Sequence, residues 1–250
     1  MAMPAVSVIV PALNEEHYLP NLLRSLCGQR DVRLEVVVVD GRSDDRTRQV
    51  AEAVADANSN DAVSLRVHTV DVRNVSYQRN YGTSHSTSPL LLFLDADVVL
   101  PHQRWVRMTV DRFAHTGARI VTCRFKLIER SIVAEAAYGF LYLFQQVMRF
   151  FTPYAMGAML LTTRNAYDQV GGFDERLTLN EDANFVKRVA RHGPFRIMGQ
   201  HCLVSARRFM DDGYLRTAWL YARIFINRTL HGENTGDLGY WDRKSEHSKR

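Results

Sequence analysis

Two aspartates one residue apart, Asp95 and Asp97, follow the apolar run Leu90-Leu91-Leu92-Phe93-Leu94. An apolar run without alternation fits a central strand of a parallel sheet, covered on both faces. In such sheets ligands gather at the carboxyl ends of the strands. If the chain stays extended past Leu94, residues i and i+2 share a face and both acids point the same way. Two hard oxygen ligands there suit Mg²⁺ or Mn²⁺ holding a diphosphate. The plain alternative is a pair of acids that merely caps a strand end. A second pair, Glu181-Asp182, follows Asn180, which reads as a helix N-cap. Both acids then lie in a first helical turn, where the helix dipole favours the carboxylate form. Such a pair supplies a general base, or serves only the helix.

The elements that must position these acids repeat one scheme. Val6 to Pro11 is a strand stopped by proline, and Leu34 to Asp40 is another apolar strand running into an acid. Between them Leu19, Leu22, Leu23 and Leu26 recur at i, i+3, i+4 and i+7, one buried helix face, with Pro20 in its first turn. Gly41 to Thr47 is a turn leading to an acidic helix start. Strand, turn and helix in alternation predict βαβ units and a parallel sheet, with Asp40 and Asp97 at the same edge. Further along, 64–70 reads as a strand, 76–86 as a short helix carrying Arg79, and Pro101 opens a helix with Trp105, Met108 and Phe113 inward. Residues 119–128 alternate like an edge or mixed-sheet strand, with Val121, Cys123, Phe125 and Leu127 on one side. A strand over 158–163, a helix over 165–170, the Gly171-Gly172 turn, a helix over 181–192 and a strand over 195–204 follow. Gly171-Gly172 would let backbone approach a ligand closely. A helix from about Asp212 to Leu230 and a polar tail from Gly232 close the chain.

The 250 residues, 46% of them hydrophobic, can bury a substantial core as one large domain or one domain with an appendage. Cys27, Cys123 and Cys202 have neither metal-ligand nor redox spacing, which fits a reducing cytosol. The stretch Val6 to Val10 is too short for a signal-peptide core. The net charge of +5 suits anionic ligands, an anionic membrane surface or a compositional bias. No nucleic-acid fingerprint, internal repeat or low-complexity tract is present.

Six motifs stand in one order: Val6 to Pro11 with Asn14-Glu15-Glu16, Val37 to Thr47, Arg79-Asn80-Tyr81-Gly82, Asp95-Ala96-Asp97, Gly171 to Glu175, and Glu181-Asp182. Together, over roughly residues 5–210, they resemble the family-two inverting glycosyltransferases. The resemblance implies an α/β GT-A nucleotide-diphospho-sugar transferase fold, a mostly parallel central sheet with helices on both faces. It implies transfer of a sugar from a UDP- or GDP-type donor to an acceptor hydroxyl or lipid phosphate, with Mg²⁺ or Mn²⁺ as cofactor and inversion by one displacement. By the same resemblance Pro11, Leu13, Glu15 and Asp40 form the nucleoside pocket, and Arg79 lies near base and phosphates. Asp97 is the direct metal ligand, with Asp95 on the ribose or on metal-bound water. Asp182 is the base and Glu181 positions it. Where the family often carries a second acid after Asp40, this chain has Gly41. Arg207 and Arg208 are candidates to clamp the diphosphate. His201 completes the metal site or is structural, leaving the third metal ligand open.

The acceptor side is carried by Ile132 to Phe151, almost continuously apolar and aromatic but holding Glu135 and Arg149. It reads as a membrane span, an interfacial or acceptor-covering helix, or a core helix. A catalytic domain over 1–210 and a C-terminal helix and tail over 211–250 follow, the latter with Trp219, Tyr221 and Phe225 beside Arg216, Arg223 and Arg228. This composition suits a membrane-surface helix or one that packs on the domain; with the cytoplasmic location that the cysteines suggest, the first reading gives a peripheral membrane contact at the inner face and a lipid-linked acceptor. Two alternatives remain. A sugar-phosphate nucleotidyltransferase would need a glycine-rich phosphate loop where Pro11-Ala12-Leu13-Asn14 stands. A non-catalytic nucleotide-binding protein would release no nucleotide diphosphate.

Overall fold

The apolar runs form strands, and alternate residues of each strand enter two different cores. In the computed structural model, residues 3–58, 62–129, 132–148, 153–155, 157–177, 179–205 and 207 are described. β1 (Ala5–Ala12), β2 (Arg33–Asp40), β3 (Val63–Thr69) and β4 (Leu90–Leu94) run parallel to one another, β1 pairing with both β2 and β4. Val8, Val36 and Leu92 face one core; Ile9, Val37 and Leu91 face the other. Burial on both faces explains why these strands carry no polar alternation.

The first core is closed by α1 (Leu19–Cys27), α2 (Thr47–Asn58) and α4 (Trp105–Thr116). The second is closed by α3 (Val75–Ser84), α6 (Arg164–Gln169) and α7 (Glu181–Ala190). In α1 all four leucines are buried and Pro20 lies in the first turn, as the spacing predicts. Helix α4 starts at Trp105 rather than Pro101, and Met108 is exposed rather than inward. Helix α2 has no acid in its first turn. Asp45 instead precedes it and accepts the Thr47 amide (2.9 Å).

β7 (Met159–Thr163) lies antiparallel between β4 and β6 (Ile120–Leu127), β8 (Phe195–Val204) runs parallel to β6, and β5 (Val98–Val99) is antiparallel to β8. The sheet order is β3-β2-β1-β4-β7-β6-β8-β5. The expected mostly parallel sheet with helices on both faces is present, with β7 and β5 as its antiparallel members. β6 is no edge strand: it has a neighbour on each side, and both its faces are buried at Ile120 and Val121. Only three residues separate β4 from β5, yet β5 pairs at the far end of the order, so the sheet curls back on itself.

Of the apolar stretch at 132–151, Ile132–Met148 forms a helix, α5. Among the described residues no helix is long and apolar enough to cross a membrane, and residues 149–151 of this stretch lie outside them. The predicted C-terminal helix, the tail and the boundary at 210/211 lie outside the described residues, as do Phe150, Phe151 and Arg208.

Candidate active site

Parallel pairing sets Asp40 beside Ala12 and Phe93 beside Ile9, so β1, β2 and β4 end at one edge. Two loops leave that edge and are stitched together. The Asn14 amide donates to Ser43 Oγ (2.9 Å), the Glu15 amide to Thr47 Oγ1 (2.6 Å), and the Asp44 amide to Asn14 Oδ1 (2.8 Å). Pro11, Leu13 and Glu15 thus stand on a wall shared with Asp40. The Asp40 carboxylate is buried and accepts the Ser43 amide (3.2 Å) and hydroxyl (2.5 Å), so it also shapes its own turn. Gly41 has a structural cause. The Gln78 amide Nε2 donates to Ala12 O (3.0 Å) and Val39 O (3.2 Å), and a side chain at position 41 would collide with it.

Asp95 and Asp97 do not continue the strand. The Val98 amide donates to Asp95 O (3.1 Å), closing a turn, so the expectation of one extended face is corrected. The turn follows from the curl: three residues must carry the chain from β4 to β5, at the other end of the sheet order. It leaves the Asp95 side chain 37% exposed and Asp97 17%.

Arg79 is fully enclosed, 2% exposed, rather than lying on the surface. Its Nη2 donates to Asp95 Oδ1 (2.9 Å) and its Nη1 to Glu181 Oε1 (2.9 Å). One guanidinium therefore joins the two acid pairs. A buried charge of this kind is tolerable only when paired. Both its forked ends are committed to carboxylates.

Glu181 and Asp182 open α7 as expected, but Asn180 is not an N-cap by side chain. It takes a left-handed conformation (φ 59°) and makes no capping bond. Enclosure by protein and the neighbouring Glu181 carboxylate push Asp182 up to about 7, against the pull of Arg79. Asp95, Glu181 and Asp182 carry three acids against one guanidinium, so Asp182 is the natural holder of a proton. Gly157, ahead of β7, backs onto the cluster: a Cβ there would stand 2.9 Å from both Arg79 Nη2 and Asp182 Oδ2. Gly157 and Gln78 leave little trace in the sequence, an isolated glycine and a polar residue on a short helix.

Arg207 reaches the opposite side. Its Nη2 donates to Glu15 Oε1 (2.5 Å), lies 3.5 Å from Asp97 Oδ2, and its guanidinium covers the Tyr18 ring at 4.3 Å. His201 sits among Lys126, Arg124 and His102, which together with burial hold its imidazole below the ordinary value. No group of three or more His, Cys, Asp or Glu side chains converges as a metal centre among the described residues, so His201 does not complete one. Two acids on one turn still fit a divalent ion whose other ligands come from phosphate and water, the usual arrangement for Mg²⁺. Gly171 and Gly172 adopt positive φ (71° and 72°). What approaches Gly172 is protein, since a Cβ would stand 2.6 Å from the Tyr167 hydroxyl and 2.7 Å from Asn80 Oδ1.

Comparison with known proteins gives these shapes a context. The model of the family described as glycosyl transferase family 2 matches residues 7–171. A glycosyltransferase AglE of Haloferax volcanii is 29% identical over 246 residues, 91% of this chain and 78% of that protein. A 4,4'-diaponeurosporenoate glycosyltransferase of Staphylococcus haemolyticus is 36% identical over 46% of this chain and 30% of its own length. An undecaprenyl-phosphate 4-deoxy-4-formamido-L-arabinose transferase of Sodalis glossinidius is 31% identical over 43% and 33%. The chain thus spans about a third of the length of the last two. Among solved structures, the mannosyltransferase PcManGT of Pyrobaculum calidifontis, in complex with GDP-Man and Mn²⁺, superposes with a TM-score of 0.68 at 23% identity, covering 86% of this chain and 59% of that one. TarS of S. aureus with UDP-GlcNAc gives 0.63 at 20% identity, over 81% and 59%. These two likenesses establish the GT-A fold.

Proposed function

The chain belongs to glycosyl transferase family 2, and on that premise we propose that it transfers a sugar, with inversion, from a UDP- or GDP-type donor to an acceptor hydroxyl or lipid phosphate. The observation that carries this reading is Arg79, which ties the strand-end acids to the helix-start acids. Leaving-group stabilisation and acceptor activation need two separate acid groups held at one distance, and this bridge provides the distance.

In this reading Pro11, Leu13, Glu15 and Asp40 cradle the nucleoside. A divalent ion, Mg²⁺ or Mn²⁺, is held by Asp97 and, directly or through water, by Asp95. When bound it neutralises charge developing on the diphosphate. Arg207 clamps the same phosphates, and Arg208, outside the described residues, is assigned with it from the sequence alone. Asp182 takes the acceptor proton, and Glu181, fixed by Arg79, orients it. A group held near neutrality is suited to give and take a proton at working pH.

A thermal-shift panel of UDP and GDP, each with and without Mn²⁺, tests the reading. A ligand that binds only the folded state raises apparent stability by mass action. One of the two should raise the melting temperature, and more so with Mn²⁺. Stabilisation by nucleoside triphosphates, with pyrophosphate release, would favour nucleotidyl transfer instead. Nucleotide binding without donor-dependent release of nucleotide diphosphate would indicate a non-catalytic binder.

For the acceptor the supporting observation is α5. Val133, Phe140, Leu143 and Val147 are 50–68% exposed along this one helix, and large exposed apolar patches are rare on soluble monomers. Exposed Arg124 and Lys126 stand on the strand beside it, Arg124 lying 5.0 Å from the Tyr142 ring. We place the catalytic unit at 1–210, with 211–250 as an appended segment. The protein then works in the cytoplasm at the inner face of the membrane, on a lipid-linked acceptor. Co-sedimentation with anionic vesicles should be strong at low salt and weaker at high salt. Phe140→Glu with Leu143→Glu should remove it. Wild-type protein that ignores such vesicles would leave a soluble acceptor as the better reading.

A further inference from the structure

Helix α3 carries three consecutive buried or part-buried polar side chains, Gln78, Arg79 and Asn80, which point to three different parts of the site. Gln78 fastens the ends of β1 and β2, and Arg79 joins the acids. Asn80 has been given no role so far, and its amide is fully employed. Its Nδ2 donates to Phe173 O (2.9 Å) and Glu175 Oε1 (2.8 Å). Its Oδ1 accepts the Phe173 amide (2.9 Å) and the Tyr167 hydroxyl (2.6 Å).

Asn80 thus holds both main-chain polar groups of Phe173, as a neighbouring strand would. The Phe173 ring, 2% exposed, is thereby pressed over Arg79, whose guanidinium carbon lies 5.0 Å from the ring centroid. The ring also meets Phe185 of α7, stacked at 4.2 Å, Phe93 of β4, edge-on at 5.0 Å, and Tyr167 at 6.4 Å. Phe93 sits on the strand that leads into Asp95, and Phe185 on the helix that opens with Glu181-Asp182. Arg79 Nε is buried without a hydrogen-bond partner, so contact with this ring helps compensate an incompletely paired cation. Gly172, directly before Phe173, leaves room for this clamp, because a Cβ there would stand 2.7 Å from Asn80 Oδ1.

We propose that Asn80 is a positioning residue for transfer: by clamping Phe173 against Arg79 it sets the spacing between the Asp95-Asp97 turn and the Glu181-Asp182 pair. Its side chain touches no acid of the site and acts through the loop at 171–175. The inference rests on the proposed assignment of Asp182 as base, and it adds the residue that keeps the base in register with the donor.

A double-variant cycle on the full chain tests it, reading Mn²⁺-dependent hydrolysis of UDP-GlcNAc or GDP-mannose, whichever the protein turns over. Asn80→Asp keeps the size and removes both Nδ2 donor hydrogens. Phe173→Leu keeps the backbone bonds and removes the ring. Each should lower kcat about tenfold or more with donor KM within about twofold, the split expected when geometry rather than binding is lost. Combined, they should lose no more than the larger single loss, the signature of two residues acting through one chain. Tyr167→Phe, a milder removal of one bond to Asn80, should lower kcat in the same sense and serves if Asn80→Asp does not fold. Hydrogen exchange gives a reading free of turnover: Asn80→Asp or Tyr167→Phe should speed exchange at 171–175 and through the first turn of α7, but not in β1. Unchanged kcat in the variants, additive losses, a donor KM raised as much as kcat falls, or faster exchange confined to 171–175 would each overturn the proposal. Asp182→Asn in the same assay separates the premise: full activity there sinks the base assignment, whereas inactivity there beside unchanged Asn80 variants sinks only the clamp.

Discussion

Asp182→Asn should bind nucleotide diphosphate with wild-type affinity and lose about two to four orders of magnitude in kcat, the usual worth of a general base. The amide has the shape of the acid but cannot accept a proton, and the donor side, across Arg79, is left intact. The same variant should be more heat-stable than wild type at pH 8. Asp182 is raised from 3.8 to about 7 in the folded protein. Between those values the folded chain binds a proton that the unfolded chain lacks, so stability falls as pH rises through the window. The cost is complete above about pH 7, on the order of 1.4 kcal/mol for each pKa unit. Asparagine removes it. At pH 4 both proteins carry a neutral group and the advantage should vanish. Wild-type turnover should correspondingly rise as pH passes about 7. Near-wild-type kcat in Asp182→Asn, with Glu181→Gln inactive, would exchange the roles of the two acids.

Asp97→Ala should abolish the Mn²⁺-dependent part of nucleotide affinity, a loss of about a hundredfold or more, since even outer-shell changes at metal sites cost about 10–100-fold. Asp97 lies on a turn, not in either core, and the Arg207 contact to Glu15 survives its removal. The fold should therefore persist, with metal-free nucleotide affinity little changed. Isothermal titration of UDP and GDP with and without Mn²⁺ reads both quantities. Unchanged metal dependence in folded Asp97→Ala would remove Asp97 from the metal site. Asp95→Asn should behave differently, because it also takes a carboxylate from Arg79 and so disturbs turnover together with binding.

Much of the frame was legible because burial on two faces writes itself as unbroken apolar runs, as in Val36 to Val39 and Leu90 to Leu94. The leucines of α1 were legible for the same reason, at helical period. What escaped depends on neighbours distant in sequence. The turn at Asp95–Asp97 is imposed by the pairing of β5 with β8, which nothing near residue 95 announces. Met108 reads as inward by spacing, yet the buried stripe of α4 runs through Trp105, Thr109, Val110 and Phe113. The burial of Arg79 was illegible because its partners lie 16 and 102 residues away. Gln78, Arg79 and Asn80, roughly 100° apart around α3, serve three loops and so leave no periodic trace. Gly41 looked like a departure from the family pattern until Gln78 was seen to fill the space.

The two-residue strand β5 also dictates an order of assembly. Val98 and Val99 pair with Val204 and Leu203, more than a hundred residues further along the chain. Contacts so distant close slowly, after local and near-neighbour pairings have formed. During synthesis the β1–β2–β3 layer, with Asp40 at its edge, can be complete while Asp97 still lacks the strand that anchors its turn. In the proposed assignment, competence to hold nucleoside would therefore precede competence to hold metal, and a nascent chain stalled before β8 would own half a site. The last strand to join the sheet would then be the one that fixes the proposed metal turn.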